Sequence, residues 1–304
     1  MPLRASRVLL ACAAVLVLAL PAFAQGTLVL QSDFGLRDGA VASMKGVATG
    51  VDPALRIHDL THEIAPFDIW EAAYRLRQVT PYWPRGTVFV SVVDPGVGTA
   101  RLGVVARTAR GQLLVTPDNG TLTFIAADVA EVREIDLTKH TLPGSERSHT
   151  FHGRDVFAYL GARLASGQVR FEDVGPTRGT TIVRLEVTPP RREGAKVQGI
   201  VAMIDRPYGN VWTNLPAAMI DSAGFRVGDT LVVRITDGRR EVFAGPVPYV
   251  ESFGHVAPGA TVAYLNSLLD LAIAVNQGSF ADSHHVRSGP AWMVSVSRGR
   301  PRAP

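Results

Sequence analysis

"TLVLQSDFGLRDGAVASMKGVATG", residues 27–50, decides the architecture. Its first residues, "TLVLQS", read as a buried strand, because a strand covered on both faces shows no polar alternation. After a break rich in Gly and Asp, "AVASMKGVATG" reads as a helix. The same order follows at once. "LRIHDLT" is a strand, and "DIWEAAYRLRQV" is a helix with apolar residues at helical spacing. "TVFVSVV" is another buried strand. "LGVVART" and "QLLVTP" follow as strands, with "PDNG" (117–120) as a hairpin turn. "RDVFAYLGARLASG" is a helix that ends at a glycine. Strand alternating with helix predicts an α/β sheet with covered faces.

The pattern changes near "TPPRREGAK", residues 188–196, where two prolines and a charge cluster predict a linker. Beyond it come short strands with few helices, "VQGIVAMI", "TLVVRI", "EVFAGPV", "TVAYLN" and "AWMVSVS", which predict a small all-β barrel. The expected division is therefore an α/β domain over 25–187 and a β-barrel domain over 197–304. Ahead of both stands a secretory signal over 1–24: Arg4 and Arg7, an apolar run from Val8 to Leu20, and small residues at Ala22 and Ala24. The run is shorter than the ~20 residues a membrane span needs, so no stable membrane insertion is expected after cleavage. Cleavage would remove the only cysteine, Cys12, and lower the formal charge from +4 to +2. An exported chain without thiol chemistry is the result. With 46% hydrophobic and 19% charged residues the 304-residue chain can bury a sizeable core. No basic cluster interleaves with aromatics, so nucleic acid is not an expected partner.

Polar residues gather where strands are expected to end, which is where open α/β sheets bind ligands. Asp33 follows the first strand, and a carboxylate there can accept two hydrogen bonds from a ribose diol. In "SVVDPGVGTAR", residues 91–101, Asp94 and Arg101 stand at the two ends of a loop stiffened by Pro95, with Gly96 and Gly98 permitting close backbone approach. In "HTFHGRDVFA", residues 149–158, His152 precedes a helix start, whose partial positive charge favours a neutral imidazole or a bound anion. Asp155 is expected to cap that helix. His58 and His62, four apart, would share a strand face, but no third ligand is evident and no metal is expected. In the second domain, "MIDRPYGNVWTNL" crowds Asp205, Tyr208, Asn210 and Trp212 together, a combination suited to a planar ligand. Phe253, Ser267 and Asn276 follow.

Taken in order, "SDFG", "DLTH", "VVDPGVGT-AR", "PDNG", "TFHGRD", "IDRPYGNVWTN" and "YLNS…IAVNQG" resemble the S-adenosylmethionine hydroxide adenosyltransferases, or S-adenosylmethionine hydrolases, which are related to the fluorinase and chlorinase. The resemblance covers nearly all of the chain after residue 24. It implies an N-terminal α/β domain, a C-terminal β-barrel and a homotrimer with active sites shared between neighbouring subunits. It further implies that Asp94, Arg101 and His152 handle water and that Asp33 holds the ribose. By the same resemblance, Asn210 and the backbone near Asn276 meet adenine, with Phe253 stacking on it. Asp205 would pair with the methionine ammonium and Ser267 with its carboxylate, while Phe67 and Trp212 line the pocket. No cofactor is implied; S-adenosylmethionine is the substrate. Two rivals remain: a halogenase attacking the same carbon, and an exported protein that binds adenosyl ligands without turnover. The halogenases carry an aromatic or small residue where this chain has Asp94, and a pure binder would need none of the three water-handling residues. Leu268 stands where the halogenases have Arg.

Overall fold

The computed structural model describes residues 26–298, Arg239 excepted, so the expected signal segment 1–24 lies outside the described residues. The first sheet contains β1 (Thr27–Ser32), β2 (Arg56–Thr61), β3 (Val88–Val92), β4 (Gly103–Thr108), β5 (Leu113–Pro117) and β6 (Val129–Glu134). Their order is β2-β1-β3-β5-β4-β6. The first four are parallel, whereas β4 is antiparallel to β5 and β6. Leu28 and Leu30 of β1 face helix α1 (Ala40–Val51), while Val29 between them faces the opposite layer with Leu76 of α2 (Ile69–Val79). Burial on both faces explains why β1 shows no polar alternation. Past the short α3 (Leu137–His140), a π-helical turn over Gly153–Ala158 runs into α4 (Tyr159–Ala165), which packs beside α1. The chain then leaves α4 through Gly167, whose φ of 76° is the glycine stop that the sequence predicts.

The reversal of β4 brings candidate residues together. Parallel strands end on one rim of the sheet, so Asp33, His62, Asp94 and Asp118 all follow strands onto that rim. Because β4 runs the other way it begins there, which delivers Arg101 to the same edge. β5 lies between β3 and β4, so the loop 93–102 must cross over the end of β5. "PDNG" is consequently not a hairpin turn. Asn119 donates its side-chain amide to the Val93 carbonyl (2.8 Å), and the Asp118 N–H donates to the Leu102 carbonyl (2.8 Å). The chain then continues into a 3₁₀ helix at Thr123–Asp128 rather than returning as a strand. Asp118 and Asn119 thus clamp both ends of the loop that carries Asp94 and Arg101.

The second sheet curls into a near-barrel. It contains β7 (Arg191–Glu193), β8 (Lys196–Asp205), β9 (Asn210–Pro216), β10 (Thr230–Asp237), β11 (Arg240–Pro248), β12 (Thr261–Leu265), β13 (Asp270–Val275) and β14 (Trp292–Arg298). The order is β11-β10-β14-β8-β9-β13-β12, with β7 paired to β8. A bridge between Tyr249 and Ala263 draws the two ends together. Part of the predicted linker 188–196 is therefore sheet: Arg191–Glu193 pairs with Lys196–Gln198 as a hairpin. Short helices α5 (Ala217–Ser222) and α6 (Phe280–His284) pack against β9 and β13.

Strand alternation divides the barrel residues between two cores. Val211, Leu271, Ile273 and Ala263 point inward, whereas Trp212, Ala272, Ala274 and Tyr264 point outward onto Tyr74 of α2. Helix α2 is the strut between the domains. Trp70 donates its indole N–H to the Ala202 carbonyl (2.7 Å), Arg77 pairs with Asp270 (2.7 Å), and Glu71 pairs with Arg206 (2.8 Å).

Candidate active site

Between Asp94 and Arg101 the chain makes two tight turns. The Val97 N–H donates to the Asp94 carbonyl (3.3 Å), and Thr99 donates both its N–H (3.1 Å) and its hydroxyl (2.6 Å) to the Gly96 carbonyl. A Cβ on Gly96 would sit 3.0 Å from Cγ of Arg101. Gly98 adopts φ +75°, and a Cβ there would meet the His149 carbonyl at 3.1 Å. These two glycines let the loop close so that Arg101 folds back on Asp94. Arg101 Nε donates to both carboxylate oxygens (2.8 and 3.0 Å), and Nη2 donates to Oδ2. The pair is well covered, with side chains 12% and 5% exposed. The guanidinium also lies 5.1 Å from the Phe157 ring centre, a cation–π contact that fixes its plane.

Arg101 Nη2 lies 3.2 Å from Nδ1 of His152. A guanidinium can only donate, so Nδ1 must accept. Burial, and then the Arg101 charge, hold His152 below the usual histidine value, with Asp94 offsetting part of the effect. The ring is therefore neutral at pH 7 and carries its proton on Nε2. We predict that an NMR titration of His152 gives a midpoint below the free value of about 6.5. In Arg101→Gln the midpoint should move upward, since a positive neighbour has been removed. An unchanged midpoint in that variant would mean Arg101 does not set the state of the ring.

Asp155 does not cap the helix that follows. It is buried and holds Arg154 through two hydrogen bonds (2.6 and 3.0 Å), because the side chain turns back along its own turn instead of outward. Gly153 has a packing reason: a Cβ there would lie 3.0 Å from the Phe34 ring.

Asp33, Phe34, Pro66, Phe67, Val92, Asp94 and His152 line one cavity of about 310 Å³. Asp33 Oδ2 accepts the Phe67 N–H (2.8 Å), which leaves Oδ1 without a partner among the described residues. Phe67 sits at φ 69°, a conformation that costs a non-glycine residue about 1–3 kcal/mol. The residue is 69% exposed and lines the cavity.

A second cavity, of about 660 Å³, opens on the barrel and is lined by Asp205, Tyr208, Asn210, Phe253, Tyr264 and Asn276 among others. Asn210 donates to Asp205 Oδ2 (3.1 Å), and Phe253 lies against Tyr264 with ring centres 4.7 Å apart. The Asn276 backbone is already used: its N–H donates to the Ala260 carbonyl and its carbonyl accepts from Gly259. Two expected pocket residues are placed differently. Trp212 is buried against Tyr74 in the seam, on the same strand face as Asn210 and in one cluster with Tyr264 and Phe253, which line the second cavity. Ser267 lies in the exposed turn joining β12 to β13, at the far end of that hairpin from Asn276. Neither residue lines either cavity.

Residues 28–175 match the family described as SAM hydroxide adenosyltransferase N-terminal domain, and residues 199–293 match its C-terminal domain. The chain belongs to the SAM hydroxide adenosyltransferase family. Among its relatives, the (R)-S-adenosyl-L-methionine hydrolase of Salinispora tropica is 38% identical over 87% of this chain and 96% of its own. The (R)-S-adenosyl-L-methionine hydrolase of Thermus thermophilus is 39% identical over 85% of this chain and 95% of its own. A fluorinase of an Actinoplanes species is similar at 28% identity, over 89% of this chain and 97% of its own. The crystal structure of an uncharacterized conserved protein from Thermotoga maritima superposes with a TM-score of 0.80 at 36% identity, covering 89% of this chain and all of that one.

Within this SAM hydroxide adenosyltransferase chain, the two histidines weighed as metal ligands have other work. His58 packs edge-on against Trp83, with ring centres 5.3 Å apart, and both ring nitrogens of His62 are engaged by Ser32 and Asp59. Among the described residues no group of three potential ligands assembles. The clamp residues Asp118 and Asn119 were not legible as site residues. Asp and Asn ahead of a Gly are also ordinary turn residues, and only the strand order reveals what they hold.

Proposed function

We propose that this protein hydrolyses S-adenosyl-L-methionine to adenosine and L-methionine by in-line attack of water on C5′. The observation that carries this reading is the Asp94–Arg101–His152 cluster on the wall of the cavity that also holds Asp33. The sulfonium leaves without help from an acid, so the site needs only a held and activated water. Arg101 occupies Nδ1 of His152, and Nε2 keeps its proton, so the imidazole serves as a donor that orients the water oxygen. Arg101 has no lone pair to offer. That leaves the Asp94 carboxylate, which lines the cavity and retains lone pairs, as the proton acceptor. The O–C5′ bond forms as the C5′–S bond breaks. The electron pair of that bond passes to sulfur, giving a neutral thioether, and the water proton passes to Asp94. Holding the water in line contributes up to about 7–11 kcal/mol in favourable systems. A halide in the same position would meet the Asp94 carboxylate, which opposes halogenase activity.

In this reading Asp33 Oδ1 accepts from the ribose hydroxyls, while Asp205, Asn210 and Phe253 on the barrel take the amino acid and adenine ends. The two cavities share no lining residue, and the aromatic residues Phe67 and Tyr208 that line them are 69% and 67% exposed. Both observations support a homotrimer in which one copy's α/β cavity meets another's barrel cavity. Light scattering should then give three times the monomer mass. We also propose export, supported by the character of residues 1–24; the mature chain should begin at Gln25 on N-terminal sequencing. The catalytic test is chromatography of purified protein with S-adenosylmethionine in water labelled with heavy oxygen. Adenosine should accumulate with the label on its 5′ oxygen. Label in any other product, or no adenosine, would refute the reaction.

A further inference from the structure

We propose that His62 is a positioning residue that sets the ribose carboxylate Asp33 by pinning together the two loops around it. The loops are 32–39, which follows β1, and 62–68, which follows β2. This rests on the ribose role given to Asp33 above.

His62 is 3% exposed. Its Nε2 lies 3.1 Å from Asp59 Oδ1, and its Nδ1 lies 2.7 Å from the Ser32 hydroxyl. Lys45 Nζ donates to the other Asp59 oxygen at 2.7 Å. The direction of every bond follows from the end groups. A carboxylate can only accept, so Nε2 carries the proton. Burial outweighs the nearby Asp59 and holds the ring below the usual histidine value, so the ring is neutral and Nδ1 accepts. Ser32 therefore donates to His62, and its oxygen in turn receives the Phe34 N–H (3.3 Å). The His62 carbonyl adds a second tie by accepting the Gly35 N–H at 2.7 Å.

These bonds bracket Asp33. Ser32 precedes it, while Phe34 and Gly35 follow it, and all three are tied to His62 directly or through the Ser32 hydroxyl. From the other loop, Phe67 donates its N–H to Asp33 Oδ2 (2.8 Å), and Asp68 beyond it caps α2 by accepting from the Glu71 N–H (2.8 Å). One carboxylate oxygen is thereby fixed, and the other is left for a ligand of the cavity that Asp33 lines. The order Ser–His–Asp matches that of a nucleophilic triad. Here Ser32 is wholly buried and its hydroxyl is committed to His62, so it cannot reach a ligand. The array is a strut. Its outer charges, Lys45 and Asp59, are about two-fifths exposed, and they anchor it at the surface.

The test uses the full mature protein with adenosine as the probe. Ser32→Ala removes the side-chain link between His62 and the Asp33 loop and leaves the backbone tie from Gly35 in place. Adenosine affinity by calorimetry should fall about tenfold, the scale of one buried partner lost. Amide exchange should rise in peptides spanning 33–37 and 63–68, while the barrel stays unchanged. In an Asp33→Ala background the same Ser32→Ala change should cost almost nothing, because both act through one carboxylate. His62→Asn, which keeps an acceptor near the place of Nδ1, should retain more affinity than His62→Phe. An undiminished Ser32→Ala loss in the Asp33→Ala background, unchanged exchange in both loops, or equal losses in the two His62 variants would each overturn the proposal. If instead Asp33→Ala alone binds adenosine as tightly as the wild type, the ribose role fails, and the exchange data still decide whether His62 pins the loops.

Discussion

Asp94→Ala should abolish adenosine release from S-adenosylmethionine while leaving adenosine binding nearly intact. In the proposed mechanism Asp94 is the member of the cluster that receives the water proton, and a general base typically contributes about 10²–10⁴-fold. Its removal does further damage, because Arg101 loses the carboxylate that holds Nε and Nη2 and is freed from its grip on His152. The water then loses both its base and its oriented donor, so the loss should lie at or beyond the upper end of that range. Asp94→Asn separates the two effects. The amide can keep one acceptor for Arg101, so the loop geometry survives better, yet it cannot take a proton at neutral pH. Turnover should be lost in both variants. Calorimetry with adenosine and circular dichroism verify that the variants fold and bind. Near-normal turnover in Asp94→Ala would reduce the loop to a salt-bridged turn and remove the basis of the mechanism.

Glu71→Ala should destabilise the protein by about 3 kcal/mol, the lower end of the range for breaking a buried ion pair. Glu71 is 3% exposed and accepts from Arg75 (2.9 Å) on its own helix and from Arg206 (2.8 and 3.2 Å) on the barrel. Removing the carboxylate leaves Arg75 partly buried without it. Arg206 is 56% exposed and rehydrates, which keeps the cost from reaching the upper end. The pH dependence has a definite sign. Burial pushes the Glu71 carboxyl up, but the hydrogen bonds from Arg206 and Arg75 outweigh it and leave it below the ordinary glutamate value. Its contribution is therefore complete above the unfolded value and is lost as pH falls through the lower folded value. Urea unfolding of wild type and Glu71→Ala should show a gap in stability that is wide at pH 7 and narrows toward acid. A constant gap would show that the carboxylate is not held by these charges. Arg206 also begins the turn between Asp205 and Asn210, so the variant should loosen the barrel cavity as well.

The residues of β1 and α1 made the α/β domain readable, because a strand buried on both faces and a helix with one apolar face leave different periods in the sequence. The barrel was readable as short strands with few helices. Asp94, Arg101 and His152 were readable as candidates because they stand beside glycines at expected strand and helix ends, and the resemblance to the family grouped them as one set. "PDNG" misled, since its turn chemistry is real but its partners, Val93 and Leu102, are distant in the chain. For Trp212 the two-residue spacing keeps it on the same strand face as Asn210, and the sequence did not show that α2 packs over that face and buries the indole.

What the sequence determined by itself, then, was local: where elements start and stop, which faces are apolar, and which reactive groups the chain owns. Tertiary structure alone decided which of these meet. The antiparallel run of β4 brings Arg101 back to Asp94, and the crossing over β5 makes Asn119 a clamp. The alternation of β9 sends Trp212 into the seam with α2, and the packing of β2 beside β1 sets His62 against Ser32. Each depends on strand order and direction, which are fixed by burial summed over two whole sheets and cannot be read from any one stretch of residues.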